Sequence, residues 1–233
     1  MERLITITED GSNTVLAQEL NEHYHSVHGA LQESRHIYIG AGLHHACIDP
    51  GELNILEVGL GTGLNVLLTL ADPAIKGRKV NYTALEPYPL QVGLTAKLNY
   101  NTITGLEPYH EDFLNMHLMP FGIPQALREA FIFTKVKVKV EESQLPESTY
   151  HLVYFDAFSP NIQPELWSPE VFLAMYACLK PGGILVTYCA KGSVKRTLKS
   201  VGFRVENLPG PPGKSQLTRA VKELISPLGK TRF

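Results

Sequence analysis

The sequence predicts an α/β fold, a mostly parallel sheet of seven strands with helices on both faces and an N-terminal hairpin extension. Three observations predict it. The apolar run Leu53–Val58 passes straight into Gly59-Leu-Gly61-Thr-Gly63 and then into an apolar helix, the strand–turn–helix context that a glycine motif requires. Strand and helix patterns alternate through the rest of the chain, and Tyr150–Phe155 is a continuous apolar run but for His151, as for a strand covered on both faces. Pro209-Gly-Pro-Pro-Gly213 joins two short strand patterns as a stiff turn, which predicts a closing antiparallel hairpin.

Taken in order, residues 4–8 and 13–17 read as a hairpin around Glu9-Asp10-Gly11-Ser12, because Asp-Gly supplies the positive φ of a tight turn. Residues 19–47 are mixed, with a short apolar run at Ile37-Tyr38-Ile39. The glycine turn opens a helix at about 63–71, followed by a strand at 79–86 and helices in 89–100 and 106–115. Pro120, Gly122 and Pro124 mark an inserted loop or helical turn over 116–130. Over 131–140, Lys135, Lys137 and Lys139 alternate with valines, which predicts a strand with one wet face. After Tyr150–Phe155 come a helix near 168–179, a strand at 184–189, a helix at 192–200, and strands at 203–207 and 216–222. The 233 residues, 44% of them hydrophobic, suffice for one such domain. Residues 1–47 are expected as its extension and 48–233 as its core.

No apolar run is long enough to cross a bilayer and no signal-peptide pattern opens the chain, so no membrane association and a cytoplasmic location are expected. Cys47, Cys178 and Cys189 are odd in number and lack metal-ligand spacing, as for idle thiols in a reducing compartment. His44-His45 and His23-x-His25 have no accompanying ligand set, and no metal is expected. The net charge of −2 hides an asymmetry: from Lys191 onward there are ten Lys/Arg and two acids, so +8 there against −10 over residues 1–190. A basic face on an acidic protein suits a phosphate-backbone partner, whereas the bland alternative is a solvated helix face with tail lysines. Lys191 and Lys195 follow the strand at 184–189, near the carboxyl edge where open α/β sheets place their ligands.

The spacing of the glycines selects among nucleotide-like ligands. A dinucleotide fingerprint needs G-x-G-x-x-G, but Leu64 and Asn65 stand where its third glycine would fall, and no Gly-Lys-Ser/Thr follows to make a P-loop. What remains is the E/D-x-G-x-G-x-G pattern of Rossmann-like class I S-adenosylmethionine-dependent methyltransferases, with Glu57, Gly59, Gly61, Thr62 and Gly63 as the cofactor cradle. Glu86, at the carboxyl end of the next strand, is placed to accept both ribose hydroxyls; its other reading is an ordinary loop carboxylate. The adenine contact is expected from Glu141 or Glu142. Asp156 closes the strand Tyr150–Phe155, at the edge that would face the sulfonium methyl. A carboxylate there can take a hydrogen bond from a substrate N–H and aim the nitrogen lone pair.

Asp156-Ala-Phe-Ser-Pro-Asn-Ile-Gln-Pro-Glu165-Leu-Trp167 resembles the D-[AG]-F-[AS]-P-x-x-x-P-[ED]-[LM]-W signature of the MnmC/MnmD tRNA methyltransferases. Leu56-Glu57-Val-Gly-Leu-Gly-Thr-Gly-Leu-Asn65 is similar to that family's E-x-G-F-G-T-G-L-N motif, with Leu60 for Phe. Tyr24-His25-Ser26, Gly29 and Glu33-Ser34 resemble its N-terminal segment, and Lys214 with Arg219 its G-K-R-E-like stretch, although Lys214-Ser215-Gln216 departs from Lys-Arg-Glu. The resemblance implies N-methylation of 5-aminomethyl-(2-thio)uridine at the tRNA wobble position, giving 5-methylaminomethyl-(2-thio)uridine. It implies S-adenosyl-L-methionine as cofactor and the tRNA anticodon loop as partner. Two-domain members carry an FAD-dependent oxidoreductase half, and at this length the stand-alone methyltransferase without flavin is expected.

For such a reaction Asp156 is the expected catalytic residue, orienting the amine and accepting its proton. Phe158, Trp167 and Tyr188 are candidate walls for a flipped base, each also a plausible core residue. Lys191, Lys195, Arg196, Lys214 and Arg219 are the candidate phosphate contacts. A small-molecule amine N-methyltransferase would use the same glycine turn. An aminopropyltransferase-like enzyme would want an acidic cleft, opposite to the basic tail. A non-catalytic RNA- or S-adenosylmethionine-binding module is the non-enzyme alternative.

Overall fold

The computed structural model describes residues 2–46 and 51–224. Cys47, the 47/48 boundary and the tail cations Lys230 and Arg232 lie outside the described residues. Strands β1 (Arg3–Ile7) and β2 (Asn13–Ala17) form the expected hairpin, and a two-residue β3 (Glu22–His23) extends it to a small antiparallel sheet. A helical segment follows: α1 (Ala30–Ser34), a π-helical stretch Arg35–Leu43, and α2 (His44–Ala46).

The main sheet is built from β4 (Leu53–Val58), β5 (Val80–Leu85), β6 (Gln125–Arg128), β7 (Phe131–Val136), β8 (Tyr150–Phe155), β9 (Leu179–Thr187), β10 (Arg204–Pro209) and β11 (Gln216–Val221). Their spatial order is β10-β11-β9-β8-β4-β5-β7-β6. The five central strands are parallel; β6, β10 and β11 are antiparallel additions at the two edges. The segment 30–46, α3 (Leu64–Ala71) and α5 (His110–Leu118) pack on one face. Helices α6 (Pro169–Cys178) and α7 (Gly192–Ser200) pack on the other. Because both faces are covered, β8 is buried along its length apart from His151 near its start, which is half-buried.

Among the described residues the sheet has eight strands where seven were expected. The extra strand is β6, inside the segment read as a loop or helical turn, where three residues pair with β7 around a bulge at Ala126/Arg128 and blunt its edge. The wet face expected from the lysine alternation is also corrected. β7 ends at Val136, and Lys135 is buried, its Nζ donating to the His117 carbonyl at 2.5 Å above the Phe121 ring. An ammonium there satisfies a carbonyl at the C-terminal end of α5, which a helix leaves unpaired. The helix expected over 89–100 shrinks to α4 (Val92–Thr95). Asn99 instead exchanges two 2.8 Å side chain–backbone bonds with Asn13 and clasps the N-terminal hairpin. The helix expected at 106–115 starts only at His110, after a 3₁₀ turn set by Pro108.

Candidate active site

β5 and β8 flank β4 on opposite sides, so the chain changes direction across the sheet at the carboxyl ends of β4 and β8, the place where open α/β sheets form a crevice. A cavity of about 640 Å³ opens there, within the range of small-molecule sites. One wall is the turn between β4 and α3. Gly59, Gly61 and Gly63 all have positive φ. A Cβ on Gly59 would lie 2.5 Å from the Asp156 carbonyl oxygen, and one on Gly63 2.1 Å from Met116 Cε. Gly59 is therefore required by packing against backbone within the protein, whereas the sequence motif suggested ligand approach; at Gly63 the Met116 end can shift, and the positive φ is the firmer constraint. Gly61 faces the Tyr24 ring, and its N–H donates to Glu86 Oε2 at 3.0 Å while the Tyr88 N–H donates to Oε1 at 2.9 Å. Glu86 lines the cavity; burial raises its pKa and these two bonds oppose the rise.

Asp156 faces the same cavity from the first position after β8, its N–H tied to the Val58 carbonyl at 2.9 Å. Its carboxylate is held on both oxygens. The Tyr38 hydroxyl donates to Oδ1 at 2.6 Å, and Asn65 Nδ2 donates to Oδ2 at 2.9 Å. The same Asn65 amide donates to Glu57 Oε1 at 2.9 Å. Burial pushes Asp156 up to about 7, against the pull of both donors. Glu57, fully buried beneath the turn, is raised well above the usual carboxylate range by desolvation.

Residues 20–27 of the N-terminal extension line the cavity opposite the glycine turn. Tyr24 meets Phe158 edge to face at 5.1 Å. His25 lies between the hydroxyls of Thr14 and Thr62, and burial lowers its pKa to about 4, so it is neutral at pH 7. Glu33 accepts from the Ser26 N–H at 2.7 Å and pairs with the Lys214 ammonium, which also sits 4.2 Å above the Tyr188 ring. The loop between β10 and β11 thus reaches into the site alongside the extension.

A family model described as S-adenosyl-L-methionine-dependent methyltransferase matches residues 110–223. The chain is 33% identical over 208 residues to the tRNA 5-methylaminomethyl-2-thiouridine biosynthesis bifunctional protein MnmC of Cupriavidus necator, over 84% of this chain and 31% of that protein. It is 29% identical over 238 residues to the protein of the same name from Cupriavidus metallidurans, over 97% of this chain and 34% of that one. The chain is an S-adenosyl-L-methionine-dependent methyltransferase, similar to a part of these MnmC proteins. It spans about a third of the length of these curated relatives. The crystal structure of MNMC2 from Aquifex aeolicus superimposes with a TM-score of 0.79 at 23% identity, over 96% of this chain and 71% of that one, so the two share a fold.

S-adenosyl-L-methionine is the cofactor of this methyltransferase, and the residues present fit it. The cavity offers turn backbone, a carboxylate with lone pairs to spare at Glu86, and an apolar side at Val138 and Val140. Of the residues expected to form the site, Gly59, Gly61, Thr62, Glu86, Glu141, Asp156, Phe158, Tyr188 and Lys214 line it together. Thr62 is almost fully enclosed, its hydroxyl accepting from Tyr100. Several expected residues do not reach it. Glu57 points into the layer below the turn, and Gly63 abuts α5. Glu142 turns to Lys139 in an exposed ion pair. Trp167 is core, wedged among Phe155, Phe172 and Tyr188 with its indole N–H on the Phe158 carbonyl.

The basic residues do not form one patch. Lys191 and Arg196 are exposed at the start of α7, on the face covered by α6 and α7, and Lys195 between them is half-buried with its ammonium on Gln216 Oε1 at 2.9 Å. Arg219 lies on the opposite face, held by Glu206 at 2.7 Å and the Ala41 carbonyl at 3.2 Å, because its position in β11 points toward the segment 30–46. Tyr38 and Asn65 were not singled out as site residues. Asn65 stood inside the glycine motif, which was the available signal. Tyr38 read as part of an apolar run, and only the fold brings its hydroxyl to Asp156.

Proposed function

We propose that this chain methylates the primary amine of 5-aminomethyl-(2-thio)uridine at the tRNA wobble position, using S-adenosyl-L-methionine. The observation that carries the reading is Asp156: a carboxylate clamped on both oxygens, raised to about 7, at the mouth of the glycine turn. The names of the curated relatives supply the nucleoside class.

When bound, the cofactor supplies an electrophilic methyl group on a positive sulfur. Glu86 would hold its ribose, and Val138, Val140 and Glu141 would border its adenine. The amine must be neutral to use its lone pair, yet at a pKa of about 10.4 only about one in 2,500 is neutral at pH 7, a deficit of ~4.6 kcal/mol. An ordinary carboxylate near 3.9 would be a poor partner for that proton. Burial of Asp156 narrows the mismatch from about 6.5 units to about 3.4. Asp156 orients the N–H and takes the proton that the amine releases on methylation. Phe158 and Tyr188 flank the entering base, and the exposed cations of α7 meet the tRNA backbone.

The deciding assay uses methyl-labelled cofactor with tRNA that lacks the final methyl, followed by nucleoside analysis. Label in 5-methylaminomethyl-(2-thio)uridine supports the reading; label in another nucleoside, or transfer only to free small amines, overturns it. Glu86→Gln leaves one of the two backbone N–H groups without its acceptor. It is expected to weaken cofactor binding roughly 10- to 100-fold by calorimetry, since hydrogen bonds to charged groups contribute about 1.5–3 kcal/mol. An unchanged affinity would remove Glu86 from the ribose site. Replacing Lys191, Lys195 and Arg196 together by Ala is expected to flatten the dependence of tRNA affinity on salt by a log–log slope of about 2, at ~0.7 per lost single-strand phosphate contact. An unaltered slope would place the tRNA elsewhere.

A further inference from the structure

The helical segment 30–46 does more than cover one face of the sheet. Its middle is π-helical, a geometry that recurs at functional sites, and it lies close against β8 and β9 because Gly42 has no side chain. A Cβ at Gly42 would stand 3.0 Å from Val186 and 3.1 Å from Tyr154. That approach carries Tyr38, 1% exposed and edge-on to Tyr154, under the cavity, where its hydroxyl meets Asp156 Oδ1 at 2.6 Å.

We propose that Tyr38 is a positioning residue for methyl transfer, fixing the plane of the Asp156 carboxylate and keeping it ready to accept the substrate proton. The inference rests on the reading of Asp156 given above. A carboxylate oxygen has two lone pairs. Tyr38 takes one on Oδ1 and Asn65 one on Oδ2, so the carboxylate is locked in rotation and keeps accepting capacity on each oxygen. Asn65 is itself anchored on Glu57, so the two donors form a rigid clamp. The bond from Tyr38 favours the ionised form of Asp156, and so does Lys214 from the β10–β11 loop; Glu33 from α1 opposes it. Glu57 below, Tyr188 beyond β9 and Tyr82 on β5 complete the titratable groups coupled to Asp156.

Asp156 must be ionised to take a proton, so turnover rises as pH passes its pKa. Tyr38→Phe removes the donor and keeps the ring. Expected are a shift of the acid limb of kcat upward by about one pH unit, a severalfold loss at pH 7 and recovery by about pH 9. Cofactor affinity should stay unchanged. A uniform loss at every pH, with the limb in place, would overturn the proposal. Carbon-13 labelling of the aspartate carboxyls follows Asp156 directly: its titration is expected to move by the same amount, and an unmoved titration also overturns it. This second readout holds even if the tRNA assay fails, which separates failure of the clamp from failure of the proposed reaction. Should Tyr38→Phe not fold, 3-fluorotyrosine at position 38, a stronger donor of nearly the same shape, is expected to shift the limb downward; an unmoved or raised limb overturns the proposal.

Discussion

Asp156→Ala is expected to lower turnover by about 10²–10⁴-fold, the range of a positioned acid–base group, while S-adenosyl-L-methionine binding measured by calorimetry changes little. The separation follows from the geometry. Glu86 and the glycine turn stand on β5 and β4, and Asp156 follows β8. Strong turnover in the variant would remove Asp156 from the mechanism. The same substitution carries a stability signature. Desolvation raises the folded-state pKa of Asp156 to about 7, above the unfolded value near 3.9. The folded state therefore binds the extra proton between these values, and its contribution to stability is present below about pH 4 and lost as pH rises toward 7. Melting temperatures of the parent protein should fall relative to Asp156→Ala across that window, with Glu57 and Glu86 common to both. A constant difference would mean that Asp156 is not held in a desolvated site.

Gly59→Ala is expected to be the most damaging single methyl group in the site. At φ +92° an alanine is strained, and its Cβ would sit 2.5 Å from the carbonyl oxygen of Asp156, which is backbone and has no rotamer to yield. Conformational strain and overpacking together cost about 2–4 kcal/mol, which for a chain of this size lowers Tm by roughly 4–16 °C. The turn and Asp156 would also be forced apart, so both cofactor affinity and kcat should drop. Thermal melts with cofactor titration check this. A variant as stable and active as the parent would show that the close approach of β4 and β8 is not needed.

The parallel core was legible because its signals are local: an apolar strand, a glycine turn at fixed spacing, and a run at Tyr150–Phe155 that is apolar but for His151. β6 was not, because three residues pairing around a bulge carry no period. The buried state of Lys135 depends on the end of α5 being above it, a tertiary fact that alternation along β7 cannot reveal. In the site, motif positions located the turn, Glu86 and Asp156. They did not show which side chains face the cavity. Glu57 and Trp167 belong to the same motifs as Gly61 and Phe158, yet they point into packed layers. The tail cations misled for a related reason: neighbouring strands and helices send sequence neighbours to opposite faces, so Arg219 ends in an internal ion pair while α7 keeps Arg196 and Lys199 in solvent.

A crystal structure with S-adenosylhomocysteine tests the account most directly. The ribose hydroxyls should lie on Glu86. The sulfur should face Asp156 across a gap that admits one amine, about 3–3.5 Å on the methyl side. Ligand bound outside this cavity, or seated in it with the sulfur turned away from Asp156, would contradict the account.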